Sequence, residues 1–485
     1  MKLKKLVALG LAAAMTVSMA ACGGGDDSKK GNDSNSDKTS ADNAGDSASG
    51  DDATSSDIIS YADLKLGEDC TDLEAEITLY NHRTDMQQAD YDGTTWDQYL
   101  AEFNKDYPNI KVNVETITDY AQTALLRLQS GDWDDIMMIP AIRVDELSTY
   151  FMPLGDLDTM NQQIRFASQW SYDGQVYGVG STGNAQGIVY NKKVFKDAGI
   201  TELPKTPEEF IDALKKIKES NSDIIPMYTN YAAGWTMGAW DAYLGGTATG
   251  DSTFNNQKLP HAKNPFSDPG NGAGPYNVYK VLYDAVAEGL TEEDYTTTDW
   301  EGCKGMINNG QIGCMVLGSW AVSQMQAAGD NADDIGYMSF PITIDGKQYA
   351  SAGPDYSYAI NKDASDTNKQ ASIVFIKWMT EKSGFSYNEG GMPVTLAEDA
   401  KWPDLYSAFD GIEYVSDDPA LKGEETLFSD LNKESELNIN NAGDSKIQAI
   451  VEAAANQDMS FDDIMNEWNE KWSAAQEAKG VEVTE

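Results

Sequence analysis

Hydrophobic and polar positions follow two periods along most of this chain. EITLYNH, from Glu76, reads as a short apolar strand, and TTWDQYLAEFNKDYP after it sets Trp96, Tyr99, Leu100, Phe103 and Tyr107 on one helical face. IKVNVETI alternates Ile110, Val112 and Val114 as a second strand, YAQTALLRLQSGD carries a helical face of Ala121, Ala124, Leu125 and Leu128, and DIMMIP reads as a third, buried strand. This β-α-β-α-β order predicts an α/β fold whose sheet is mainly parallel and covered by helices. Farther on, Thr206-Pro207-Glu208-Glu209 is a capping box with proline at the first helical position, opening a helix that presents Phe210, Leu214 and Ile217. Ligands of such sheets lie beyond the carboxyl ends of the strands, so the loops after Leu79 and Ile139 are candidate site positions.

The N-terminal stretch follows neither period. Three lysines (Lys2, Lys4, Lys5), an apolar run from Leu6 to about Thr16 and a stretch of small residues describe a secretory signal peptide, residues 1–21. The run is too short to span a bilayer, which takes about twenty residues. Met19-Ala20-Ala21-Cys22 resembles a bacterial lipobox, which implies lipidation of Cys22 and attachment through acyl chains, with no basic surface required. Residues 22–60 then form a tether dominated by Gly, Ser, Asp, Asn, Ala and Thr, a composition that buries no core. Asp33-Ser34-Asn35-Ser36-Asp37 is no calcium loop, because Lys38 and Ala44 stand where that loop needs Gly and Glu.

Composition narrows the function. A formal charge of −44 over 485 residues argues against unassisted binding to nucleic acid or to an anionic membrane. The length fits about two or three folded units. With 2 His and 4 Cys, a His-rich metal site or a zinc module is excluded, and the phosphate-loop, H-E-x-x-H, G-x-S-x-G and dinucleotide fingerprints are absent, so neither metal nor cofactor is expected. His82, beside Arg83 and Asp85, reads as a ligand hydrogen-bonder or a structural residue before it reads as a general base. His261 carries no evident role. The 79 carboxylates leave a glycosidase pair open. Cys303 and Cys314 either pair as a disulfide or stay reduced and buried, with Cys70 left over. Of Asp134 and Asp135, one is expected to brace the loop.

Eleven tryptophans and 24 tyrosines exceed what packing alone needs. Aromatic faces pack on the C–H faces of pyranose rings, while Asp, Asn, Glu and Arg bind the hydroxyls, so a sugar cleft needs both. Trp235, Trp240 and Trp320 stand in glycine-rich, irregular sequence, where a ring lines a cleft. Trp96, Trp378, Trp468 and Trp472 stand on helical faces and read as core.

The order of lipobox, polar tether, EITLYNHRTD, DIMMIP, GIVYNKKVFKDAGI, MVLGSWAV, GPDYSYAINKDA and GMPV resembles the extracellular solute-binding proteins of bacterial ABC importers, in the sugar-binding cluster that includes maltodextrin-binding proteins. The resemblance covers the chain from about Glu76 onward. It implies a periplasmic-binding-protein-like fold of two α/β lobes, residues 75–186 with 355–408 and residues 187–354 with 409–485, joined by a multi-segment hinge that closes around a carbohydrate without catalysis. Carried over by position, it implies ligand contacts from Asn81, His82, Arg83 and Asp85 after the first strand, Arg143 after the third, and Asn184 near the first crossing. Trp235, Trp240 and Trp320 would stack on the sugar, Asp355 and Tyr356 would lie at the second crossing, and Met392 would follow the Gly-Gly turn. Ile139 and Pro140 stand where maltodextrin binders offer an aromatic and a small residue, which argues against a long α-glucan and leaves the sugar open. The implied protein is a monomer on the outer face of the membrane that delivers an oligosaccharide to permease subunits. A tethered glycoside hydrolase and a surface protein with a macromolecular partner are the alternatives.

Overall fold

The computed structural model describes residues 58–484 apart from 89, 90, 92, 118, 119, 410 and 441–443. The signal peptide, Cys22 and tether residues up to 57 lie outside the described residues; the end of the expected tether is corrected, since Ile58 and Ile59 pack against the first lobe's core and the Ile59 amide donates to Gln370 Oε1 at 2.7 Å.

The first strand, β1 (Ala75–Asn81), buries Ile77 and Leu79 and pairs in parallel with β2 (Ile110–Thr116) and β3 (Ile136–Met138). Helices Trp96–Asp106 and Tyr120–Ser130 connect them, as the hydrophobic periods predict. Thr95 caps the first of these, its hydroxyl accepting from the Gln98 amide while the Gln98 side chain accepts from the Thr95 amide. At the second predicted box Thr206 caps the Glu209 amide, but the Glu209 carboxylate reaches one residue farther, to the amide of Lys205.

Short strands β4 (Gly155–Asp156), β5 (Ser171–Tyr172) and β6 (Gln175–Val176) form a small separate sheet. The chain then runs through β7 (Val179–Gly180) into β8 (Gly183–Asn191), and continues with β9 (Ile225–Met227), β10 (Ile312–Gly318), β11 (Ile335–Met338), β12 (Tyr349–Pro354), β13 (Ser357–Ile360) and β14 (Glu413–Val415). The first lobe's sheet has the order β2-β1-β3-β13-β7 and the second's β14-β12-β8-β10-β9, with β11 also on β8.

Both sheets are mixed, where the sequence predicts mainly parallel ones. In the first, β13 is antiparallel to β3 and β7; in the second, β8 is antiparallel to β10, β11 and β12. The reversals fall on strands next to the crossings, because a chain that leaves one lobe enters the other sheet from its far end. The apolar periods of each strand carry no trace of this direction.

The first lobe packs around Leu79, Phe103, Met137 and Phe375, and Trp96 and Trp378 join that core as expected. The second lobe covers both faces of its sheet. Ile188, Cys314 and Val316 point to one core, which holds Trp468 and Trp472, while Val189, Met315 and Leu317 point to another. This alternation settles the cysteines. Cys314 faces the first of these cores and Cys303 the second, so the sheet separates them, and Cys70, Cys303 and Cys314 are all free. No helix among the described residues is long and apolar enough to cross a membrane.

Three crossing segments join the lobes and hydrogen-bond to one another. The Ser181 amide donates to Tyr356 O at 2.9 Å, the Asp355 amide to Thr182 O at 2.8 Å, and Gly183 and Met392 exchange amide bonds of 2.8 and 2.7 Å. Arg165 Nη1 donates to the carbonyls of Pro393 and Thr395 at 2.8 and 2.6 Å, fixing the third crossing.

Candidate functional site

Strands β10, β12 and β14 run parallel to one another because each is antiparallel to β8 or parallel to a strand that is. Their carboxyl ends therefore open on the same side, where sheets of this kind hold ligands. Trp320 follows β10, Asp355 follows β12 and Asp417 follows β14.

On the first lobe, β1 ends at Asn81 and its loop gathers His82, Arg83 and Asp85. The His82 ring lies 4.2 Å from the Tyr356 ring and 6.0 Å from that of Tyr120, centroid to centroid. Burial of the imidazole pulls its pKa down to about 4 against the attraction of Asp355, so the ring is neutral at pH 7. Its Nδ1 and the Nδ2 of Asn81 are buried without hydrogen-bond partners among the described residues. Arg83 is committed elsewhere, with ion pairs to Asp85 at 2.8 Å and Glu389 at 2.6 Å and a bond to the Tyr91 hydroxyl. It anchors the segment before the third crossing. Asp355 is exposed at the second crossing.

On the second lobe, Trp235 and Trp320 meet with a third ring, Trp300. Centroid separations are 5.0 Å for Trp235 with Trp300, 5.6 Å for Trp235 with Trp320 and 5.8 Å for Trp300 with Trp320. Trp235 is 43% exposed, an apolar surface that packing does not use. A Cβ at Gly318 would stand 2.7 Å from Trp320 Nε1 and 3.3 Å from Gln186 Oε1, so glycine in the Gly318-Ser319-Trp320 turn is what lets the ring lie across the strand end. Sequence reasoning missed Trp300 because it begins a helix and resembles core.

Between the lobes lies a cavity of about 1090 Å³. Trp170 and Arg143 from the first lobe and Gln186, Ser351, Asn255 and Asp417 from the second are among its lining residues. Of the expected contacts only Arg143 lines it, and Arg143 is spanned by carboxylates, donating to Asp145 and to Asp430 of the second lobe, each at 3.0 Å.

Two expectations are corrected. Trp240 is 2% exposed and meets Phe340 edge-on inside the second-lobe core, because the turn around it is a 3-10 helix with one face inward. Met392 is 1% exposed; its backbone pairs with Gly183 and its side chain turns into the core behind the crossing. Asn184 is also buried, its Oδ1 accepting from the Ser319 hydroxyl at 3.3 Å. Asp135 braces β1, accepting from the Thr78 amide and from Asn368 Nδ2. Among the described residues no cluster of His, Cys, Asp and Glu is arranged to hold a metal.

Comparison with known proteins places this geometry. The family of bacterial extracellular solute-binding proteins matches residues 90–384, and the chain belongs to that family. A manno-oligosaccharide-specific solute-binding protein of Bifidobacterium animalis subsp. lactis, solved with mannotriose, is 54% identical, with 87% of this chain and 99% of that one covered and a TM-score of 0.81. A binding protein of an ABC transporter from the same organism, solved with mannobiose, gives the same identity, coverage and TM-score. The multiple sugar-binding protein of Streptococcus mutans is 23% identical over 331 residues, 66% of this chain and 75% of the relative. The family binds solutes and catalyses no reaction, so the hydrolase alternative falls away.

Proposed function

We propose that this protein captures manno-oligosaccharides between its lobes and delivers them to the permease of an ABC importer. The observation that carries this reading is the three-tryptophan surface at the end of β10, in a chain 54% identical to a mannotriose-bound binding protein. Aromatic faces take the C–H face of a pyranose, and a neutral imidazole and exposed carboxylate on the opposite lobe suit its hydroxyls. His82 and Asp355 take those polar roles; Arg83 and Asp85 hold the loop; Tyr356 supports the His82 ring.

Closure is the working step. A ligand that touches both lobes stabilises the closed state by the contacts it makes only there, and the three crossings supply the hinge. The lobes follow the expected division, 75–186 with 355–408 and 187–354 with 409–485, shifted so that β8 from Gly183 falls in the second lobe and Tyr61 and Leu64 fall in the first. Lipidation of Cys22 and the polar tether hold the monomer at the outer membrane face, and ATP hydrolysis belongs to the importer.

Calorimetric titration with mannobiose, mannotriose, maltotriose and raffinose tests this. Saturable binding confined to the manno-oligosaccharides is expected; a preference for maltotriose or raffinose, or no binding by any, would overturn it.

A further inference from the structure

The cleft has a second pole that neither the tryptophan surface nor the His82 loop accounts for. The register of the second sheet aligns Val415 with Ser351 and Gln186 with Gly318, and extending the β12–β8 register by one residue joins these pairs into a single row. From β10 to β14 that row spans three inter-strand steps, about 14 Å at ~4.8 Å per step. This is the length of a short oligosaccharide, more than a single ring. Val415, Ser351 and Gln186 all line the cavity. Gln186, beside Trp320 Nε1 at one side of that row, makes no side-chain hydrogen bond among the described residues.

At the β14 end stand Asn255 and Asp417. Asn255 Nδ2 donates to Asp417 Oδ2 at 2.9 Å, and both residues line the cavity. Asn255 is 4% exposed, yet its Oδ1 has no partner among the described residues. Asp417 Oδ1 likewise accepts no hydrogen bond among the described residues. A Cβ at Gly245 would stand 2.5 Å from Asn255 Nδ2 and 3.0 Å from Asp417 Oδ1, so the pair is seated on a glycine that a larger residue would displace. A half-buried carboxylate and a buried amide with unused acceptors, at the end of a cavity with Trp170 in its wall, form a built polar site.

We propose that Asn255 and Asp417 form an end subsite for a sugar ring beyond those held at the tryptophan surface, so that the cleft prefers manno-oligosaccharides of three or more units to mannobiose. The proposal rests on the manno-oligosaccharide reading above. Hydroxyl donors of the added ring satisfy the acceptors left open at Asp417 and Asn255, and Gln186 bonds to the ring between the two poles. Burial raises the pKa of Asp417, as expected of a carboxylate short of donors until a ligand arrives.

Calorimetry of the wild type and of Asp417→Asn with mannobiose, mannotriose and mannotetraose tests it. Asparagine keeps the side-chain shape and an oxygen for Asn255 Nδ2 but replaces one acceptor by a donor. The wild type is expected to bind mannotriose about tenfold more tightly than mannobiose, and the variant to lose most of that gap while its mannobiose affinity stays within about twofold. An equal gap in both proteins, or equal weakening of both sugars, overturns the subsite. The wild-type series stands alone if the variant fails to fold, since mannobiose bound as tightly as mannotriose is also a refutation. Failure of every manno-oligosaccharide to bind overturns instead the reading on which the subsite rests.

Discussion

Arg143 Nη1 donates to Asp430 Oδ1 at 3.0 Å, tying the loop after β3 in one lobe to the helix Leu427–Ser435 in the other. Both side chains are more than a third exposed, at 41% and 36%, so the pair belongs with surface salt bridges, worth about 0–1 kcal/mol and screened by salt. Asp430→Asn is therefore expected to leave thermal stability nearly unchanged and to speed sugar release by a few-fold at low ionic strength, with the difference fading at high salt. Stopped-flow release at two salt concentrations checks this; an unchanged release rate at low salt would show that the pair does not hold the lobes together.

The buried pair behaves differently. Lys446 Nζ lies 2.5 Å from Asp241 Oδ2, with the two side chains 8% and 0% exposed, and Asp241 also accepts from the Tyr279 hydroxyl and the Asn440 amide. Removing one member strands the other charge in the core, at a cost of about 3–5 kcal/mol. Lys446→Met is expected to lower urea-unfolding stability by that order. A change below about 1 kcal/mol would show that Asp241 is satisfied by its neutral donors alone.

His82 sets a pH dependence. Burial lowers its folded pKa to about 4 from the ordinary 6.5. As pH falls through 6.5 the unfolded ring takes a proton that the folded ring refuses until about 4, so the unfolded state binds more protons and stability falls across that window. The contribution lost over the whole window is roughly 3 kcal/mol. His82→Gln is expected to remove this component, so the stability difference between wild type and variant shrinks on going from pH 7 to pH 4.5. Parallel pH profiles for the two proteins would contradict the burial of a neutral ring.

The cysteines give a simple contrast. Cys303 and Cys314 occupy different cores on opposite faces of the sheet, and burial pushes the Cys303 thiol up to about 12. Reductant should shift the melting temperature by less than about 1 °C, since a native disulfide would contribute about 2–4 kcal/mol. A drop of several degrees on reduction would mean that the two pair.

Local pattern showed the first lobe's strands and helices because each buries one face with its own period. It also singled out the Gly318-Ser319-Trp320 turn, whose glycine the structure explains by the close approach of the indole. Trp240 misled because glycine-rich sequence surrounds it while its ring points into the core. Asn255 and Asp417 left no signal at all: they stand 162 positions apart, and only the arrival of β14 beside β12 brings them together. Strand direction was hidden for the same reason, since the crossings that reverse it are long-range events. Expected contacts such as Arg83 and Arg143 lie near the cleft but are engaged by carboxylates, and no sequence motif distinguishes a free guanidinium from a paired one.

The most direct measurement is a mannotriose titration of the wild type and of Trp320→Ala, followed by tryptophan fluorescence and calorimetry. The wild type is expected to show a saturable fluorescence change, and the variant an affinity at least about tenfold weaker, since it loses a stacking contact of ~1–1.5 kcal/mol beyond the buried ring area. An unchanged affinity in Trp320→Ala, with the protein folded, would take the tryptophan surface out of the site and contradict sugar capture at the end of β10.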